Sequence, residues 1–211
     1  MRVEILIYPG FDELDAIAPF EVLQQAKKRG AAFETRLVSL EGAGEIRAAN
    51  GLWVRAEGRL AENGAPKLVI VPGGGWGARS RQGAWAEAQR PEAPGAIRQL
   101  HRDGVILAAV CTGAMLLAAA GLLRGRHATT HHEALEELRA QGAEIVEARV
   151  VDDGEILTAG GVSSGLDMGL WLVERFAGAD VARRVESTLE YERRGPIWRR
   201  PARAAAGSDG G

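Results

Sequence analysis

The amino-acid sequence predicts an α/β domain, a mostly parallel sheet sandwiched between helices, and three observations carry that expectation. Lys67-Leu68-Val69-Ile70-Val71 and Val105-Ile106-Leu107-Ala108-Ala109-Val110 are continuous apolar runs of strand length, the pattern of strands buried on both faces. Segments with apolar residues at helical spacing fall between the strand candidates, so the chain alternates strand and helix. The second run also passes without a break into Cys111-Thr112-Gly113 and an Ala/Leu-rich helix candidate, forming a strand-to-helix elbow.

Taken in order, residues 3–8 are β-branched and apolar and close at Pro9-Gly10, a first strand with its turn. Pro19 suits a first helical turn, and Phe20, Val22, Leu23 and Ala26 continue at helical spacing to a basic end and a stop at Gly30. Residues 33–40 read as a second strand. Asn50-Gly51, flanked by Ile46-Arg47-Ala48 and Leu52-Trp53-Val54, predicts an antiparallel hairpin beside the main alternation. After the strand at 67–71 come a helix around 96–101, the strand at 105–110 and a helix from Thr112. A short strand near 128–130 and a helix over 133–141 follow. Asp153-Gly154 predicts a second hairpin, and residues 165–176 and 181–191 supply two closing helices.

With 211 residues, 46% of them hydrophobic, the chain suits one domain, expected over residues 1–194. Residues 195–211 read as a flexible basic and Gly/Ala-rich tail, with Arg193, Arg194, Arg199, Arg200 and Arg203 as solvated surface. The opening residues lack a signal-peptide pattern and no apolar run reaches spanning length, so a cytoplasmic protein with no membrane partner is expected. The single cysteine permits no internal disulfide. A formal charge of −2 gives no general attraction for nucleic acid. His131 and His132 would face opposite ways in a strand, and no third ligand has suitable spacing, so no metal or other cofactor is expected.

Three segments converge at the carboxyl ends of the predicted strands, where such sheets bind ligands. Cys111 stands at the elbow, where the amides and dipole of the next helix would favour its thiolate. Pro72-Gly73-Gly74-Gly75 follows a strand and lacks the lysine and Ser/Thr of a phosphate loop. Its Gly74 amide, with Gly75 beside it, would face that of Thr112 as an oxyanion hole, and a bare tight turn is the alternative. Phe11-Asp12-Glu13-Leu14-Asp15 lies ahead of the first helix. Asp12 and Glu13 read as solvated turn residues, whereas Asp15 is either a helix cap or a carboxyl beside the thiol, where it would hold a proton near neutral pH. His131 is a pocket or capping residue, and Trp76 a pocket wall or a packing residue.

The set strand-Pro9-Gly10, an acid ahead of Pro19-Phe20-Glu21-Val22-Leu23, Val71-Pro72-Gly73-Gly74, Ala109-Val110-Cys111-Thr112-Gly113 and Arg126-His127-Ala128-Thr129-Thr130-His131 resembles the DJ-1/PfpI superfamily over about residues 3–190. The resemblance implies a flavodoxin-like, amidotransferase-like fold. Within the superfamily the chain is most similar to isonitrile hydratases and to the ligand domains of AraC-type regulators. Similarity to the hydratases implies Cys111 as nucleophile, Asp15 as acid and base, and Thr112 as a neighbour needed for activity. It further implies cofactor-free hydration of a small isonitrile to an N-substituted formamide through a thioimidate. A homodimer is also implied, with Phe11, Ile17 and Trp53 as exposed apolar candidates. The sequence departs from relatives at Thr112, where PfpI-type proteases and many glyoxalase or deglycase relatives carry histidine, and at His132 and Ala18, where tryptophan and glycine are frequent. A small-molecule or redox sensor and a carbonyl-stress hydrolase stay open as alternatives.

Overall fold

Wholly apolar runs become the central strands. In the computed structural model, which describes residues 1–201, β1 (Arg2–Leu6) leads into α1 (Glu13–Lys28) and β2 (Glu34–Val38). The hairpin β3 (Gly44–Arg47) and β4 (Trp53–Ala56) follows, then β5 (Leu68–Val71), α2 (Ala84–Ala88) and α3 (Glu92–Arg102). Next come β6 (Ile106–Val110), α4 (Gly113–Ala119), β7 (His127–Ala128), α5 (Leu135–Ala140) and β8 (Glu144–Ile145). The chain continues through β9 (Val150–Asp152), β10 (Ile156–Ala159), α6 (Ser164–Ala177), α7 (Ala179–Leu189) and β11 (Trp198–Arg199).

Seven strands form one sheet in the order β11-β9-β10-β6-β5-β1-β2, parallel at every pairing except β9 with β10. The predicted fold class is the one observed. Both predicted hairpins form at Asn50-Gly51 and Asp153-Gly154. β5, β6 and β10 are buried along their whole length because α1, α6 and α7 cover one face while α2, α3 and α4 cover the other. Gly169 lets α6 approach α1 closely: a Cβ there would lie 2.9 Å from Val22 Cβ and 3.2 Å from Pro19 Cα. Among the described residues no helix is long and apolar enough to cross a membrane.

The structure changes several local expectations. α1 begins at Glu13 because Asp12 caps it, its carboxylate accepting the Leu14 amide at 3.1 Å, so Pro19 lies inside the helix and not in its first turn. Glu13 is likewise no idle turn residue: it accepts the Asn50 amide at 2.7 Å and ties α1 to the hairpin loop. α2 was not legible in the sequence, and β7 pairs with β8 in a separate small sheet. Of the three residues expected as an exposed apolar patch, only Trp53 is largely exposed, at 61%; Ile17 is half-buried and Phe11 is fully enclosed.

The boundary expected at residue 194 also shifts. β11 pairs in parallel with β9, Trp198 stacks on His127 at 4.4 Å, and Arg200 reaches the buried Asp153 at 2.8 and 3.0 Å. Arg193 is bound by Glu174 at 2.6 Å and Glu186 at 2.7 Å. The buried Asp153 carboxylate needs a cation and Arg200 supplies it, while Arg193 bridges Glu174 on α6 to Glu186 on α7, so neither is simply solvated surface. The remainder of the predicted tail, residues 202–211, lies outside the described residues.

Candidate active site

Cys111 sits between β6 and α4 with φ 56°, in the left-handed region that costs an L residue about 1–2 kcal/mol. Three hydrogen bonds hold it there. Its amide donates to the Ala159 and Gly160 carbonyls at 3.1 and 3.0 Å, and Thr130 Oγ1 donates to its carbonyl at 2.8 Å. The elbow is tight against the Pro72 loop: a Cβ on Gly73 would stand 2.5 Å from the Thr112 amide and hydroxyl. Only glycine at 73 permits that approach.

Asp15, in the first turn of α1, is fully buried beside the thiol. Oδ2 accepts the Gly73 amide at 2.9 Å, while Oδ1 has no hydrogen bond of good geometry and the Cys111 thiol lies against the carboxyl. The cap belongs to Asp12, which leaves Asp15 free to turn to Gly73 and the thiol. Tyr8 donates to the Pro72 carbonyl and braces the same loop from behind.

Burial and then the charge of Asp12 push the Asp15 carboxyl well above its ordinary value. Burial and then the charge of Asp15 push the Cys111 thiol up as well, against the amides of Thr112 and Val162 that favour the thiolate. The expectation of an easily ionised thiol is therefore corrected: Cys111 is 6% exposed, and desolvation outweighs those amide dipoles. Two acids, both raised and in contact, titrate as a pair and not as independent groups. The Val162 amide was missed in the sequence, although Gly160-Gly161 ahead of a helix repeats the strand-turn-helix pattern of the elbow itself.

A fully buried carboxyl that resists ionisation also weakens the fold, so Asp15→Asn is expected to stabilise the protein by about 1–2 kcal/mol at neutral pH. The sign follows from the shift. Because the folded carboxyl is raised, the parent protein loses stability as pH climbs from the unfolded carboxyl value through the folded one. Asparagine does not titrate. Thermal melts should show the two proteins converging in strong acid and separating as pH rises, then holding a constant gap.

The glycine loop departs from the expected arrangement. The Gly74 amide donates to Thr112 Oγ1 at 3.0 Å, so it is turned to the threonine hydroxyl and does not face the Thr112 amide as half of an oxyanion hole. Gly75 and Trp76 line the cavity of about 600 Å³ that opens on Cys111, together with Asp12, Thr112, His131 and Val162. Asp12, expected to be solvated, is half-buried there. Trp76 is also a packing residue, edge-on to Trp85 at 5.1 Å. Arg79 binds Glu137 at 3.0 and 2.7 Å and closes one side of the mouth, a contact no local pattern announced.

His131 both caps and lines. Its Nδ1 accepts the Glu133 amide at 3.3 Å, ahead of the single 3-10 turn His132–Ala134, and its ring stands against the cavity. His131 and His132 are not in a strand, so their rings do not point apart but lie together, centroids 4.2 Å apart and planes tilted by 36°. Burial and His132 lower the His131 pKa. Among the described residues no group of three His, Cys, Asp or Glu side chains is placed to hold a metal ion.

Comparison with known proteins bears on the fold and the family. The chain is 29% identical over 191 residues to isonitrile hydratase of Pseudomonas putida, covering 90% of this chain and 78% of that one. It is 30% identical over 184 residues to the HTH-type transcriptional regulator CdhR of Pseudomonas aeruginosa, covering 84% of this chain but about half, 51%, of the regulator. A ThiJ/PfpI family protein from Pseudomonas syringae superposes with a TM-score of 0.79 at 26% identity, over 92% of this chain and 76% of that structure. The DJ-1/PfpI family model matches residues 1–175, and with the elbow cysteine and the sheet order this places the chain in the DJ-1/PfpI family.

Proposed function

We propose that the protein is a cofactor-free, cysteine-dependent hydratase that converts isonitriles to N-substituted formamides. The observation that carries this reading is the contact between the buried Asp15 carboxyl and the Cys111 thiol, both raised in pKa. Together they hold a nucleophile and one transferable proton, which addition to an isonitrile consumes in a single step. The thiolate forms a bond to the terminal carbon while the Asp15 proton goes to that same carbon, giving a thioimidate. Water then adds to the carbon, one of its protons returns to Asp15 and the other passes to nitrogen. Collapse breaks the C–S bond, releases the formamide and restores the thiolate.

The occupied Gly74 amide supports the choice of substrate. Acyl transfer builds an oxyanion and needs free donors aimed at it. Isonitrile addition creates no oxyanion in its first step and needs a proton donor instead. The likeness to the Pseudomonas putida hydratase adds weight. The experiment is incubation of the purified protein with cyclohexyl isocyanide, following the N-formamide by mass spectrometry. Turnover that vanishes in Cys111→Ala supports the reading, and turnover that persists overturns it. The likeness to CdhR favours a second reading, a ligand-sensing module on the same pocket. Saturable binding without turnover would select it.

A further inference from the structure

A separate cavity of about 700 Å³ lies between the β2–β3 loop and the chain that runs from α2 into α3, and it shares no lining residue with the Cys111 cavity. Part of its lining is apolar: Ile7, Tyr8 and Ile46 are buried and Leu40 is half-buried. The Tyr8 hydroxyl is committed elsewhere, to the Pro72 carbonyl. One wall is held in shape by Ser39, whose Oγ accepts the Glu41 and Gly42 amides at 3.1 and 3.0 Å and donates to the Gly42 carbonyl at 2.7 Å. A preformed cavity of this volume, with an apolar surface and few buried polar groups, has the dimensions of a small-molecule site.

Glu87, on α2, is the one buried charged residue in the lining, only 7% exposed. Its Oε1 accepts a hydrogen bond at 3.2 Å from Arg90, which is itself exposed. Among the described residues Oε2 accepts none, and it is not sealed inside the protein, so it opens on the cavity. A carboxylate oxygen so placed lacks the donor that its burial calls for. Burial pushes the Glu87 carboxyl up; Arg90 opposes this, and the charges of Glu92 and Glu41 add to it. Glu41, Glu45 and Glu92 all line the cavity and are exposed, so four carboxylates face a single arginine. That balance draws cations in and turns anions away.

We infer that this cavity binds a protonated amine with an apolar body, its ammonium donating to Glu87 Oε2 while its hydrocarbon covers Ile7, Tyr8 and Ile46. The open group is an acceptor, so the ligand must bring an N–H, which a primary ammonium has and a quaternary one lacks. This site goes beyond the hydratase reading, and neither depends on the other.

The test is calorimetric titration of the full chain with phenethylamine, phenethyl alcohol, phenylacetate and the trimethylated quaternary form of the amine. The amine should bind saturably, the alcohol and the quaternary form at least about tenfold more weakly, and phenylacetate more weakly still. Glu87→Gln keeps the outline of the side chain and removes its charge. It should weaken the amine by about tenfold or more and leave the alcohol within about twofold. If Glu87→Gln does not fold, the exposed pair Glu41→Gln with Glu92→Gln takes its place, and should weaken the amine about two- to fivefold at low salt, an effect that fades as salt is added. A preference for the amine that is lost with these carboxylates supports the inference. Amine binding no tighter than that of the alcohol, amine affinity kept within about twofold in every folded variant, or no saturable amine binding up to about 10 mM overturns it.

Discussion

Cys111→Ala is expected to lower isonitrile hydration by at least about 10⁴-fold, because the covalent route disappears with the sulfur and the neighbouring carboxyl has no nucleophile to complement. The fold should persist, since alanine keeps the Cβ that the elbow already accommodates. Asp15→Asn keeps the thiol but loses the transferable proton and should cost about 10²–10⁴-fold. The pH profile separates this pair from an ordinary cysteine nucleophile. The reactive form carries one proton on the pair, so kcat/KM rises with pH through the raised Asp15 value. It stays level above that value and falls only in alkali beyond the ordinary thiol range, because burial and then the neighbouring carboxylate hold the last proton. In Asp15→Asn the thiol titrates alone, so the ascending limb should move up to the thiol's own ionisation in alkali and the alkaline fall should vanish. A parent profile that instead climbs through an ordinary thiol pKa would remove the shared proton from the mechanism.

The second large effect is on stability. Gly113→Ala is expected to destabilise the domain by about 3 kcal/mol or more, because the new methyl would collide with the Val71 carbonyl and stand 2.8 Å from the Pro72 carbonyl oxygen. Both obstacles are backbone, so no rotamer change relieves the clash, and β5 and the elbow must part. For a domain of this size that corresponds to a fall in Tm of about 6–12 °C. Gly95→Ala is the matched control. Gly95 lies within α3 with nothing within 4 Å of an added Cβ, so the same substitution should stabilise by about 0.5–1 kcal/mol through helix propensity. Thermal melts of the two variants read the difference directly, and equal shifts would show that packing around the elbow does not decide it.

Both effects return to a junction that is legible in the chain before any coordinates. Val110-Cys111-Thr112-Gly113 announces a strand, a sharp turn and a helix, and the apolar runs at β5 and β6 announce a sheet covered on both faces. Asn50-Gly51 and Asp153-Gly154 mark their hairpins because the turn geometry demands those residue types. These are local or periodic properties, written in residue type and spacing.

What local pattern could not decide depended on segments far apart in the chain. Asp12 and Asp15 are both acids near a helix start, and only packing shows that the first caps α1 while the second is enclosed beside the thiol. Cys111 at a helix N-terminus reads as an easily ionised thiol, yet burial and the Asp15 carboxyl reverse the shift, since desolvation is set by everything that surrounds the group. Gly74 has the right place for an oxyanion donor, but the Thr112 hydroxyl takes its amide. Arg193 and Arg200 read as surface until Glu174, Glu186 and Asp153 are brought beside them. The sequence by itself thus determined the elements, their order and the position of the elbow cysteine, because these follow from periodicity and turn chemistry. Which carboxyl the elbow cysteine packs against, which amides are free and which cavity adjoins it were decided by the tertiary structure, because electrostatic environment and hydrogen-bond pairing are properties of the packed chain.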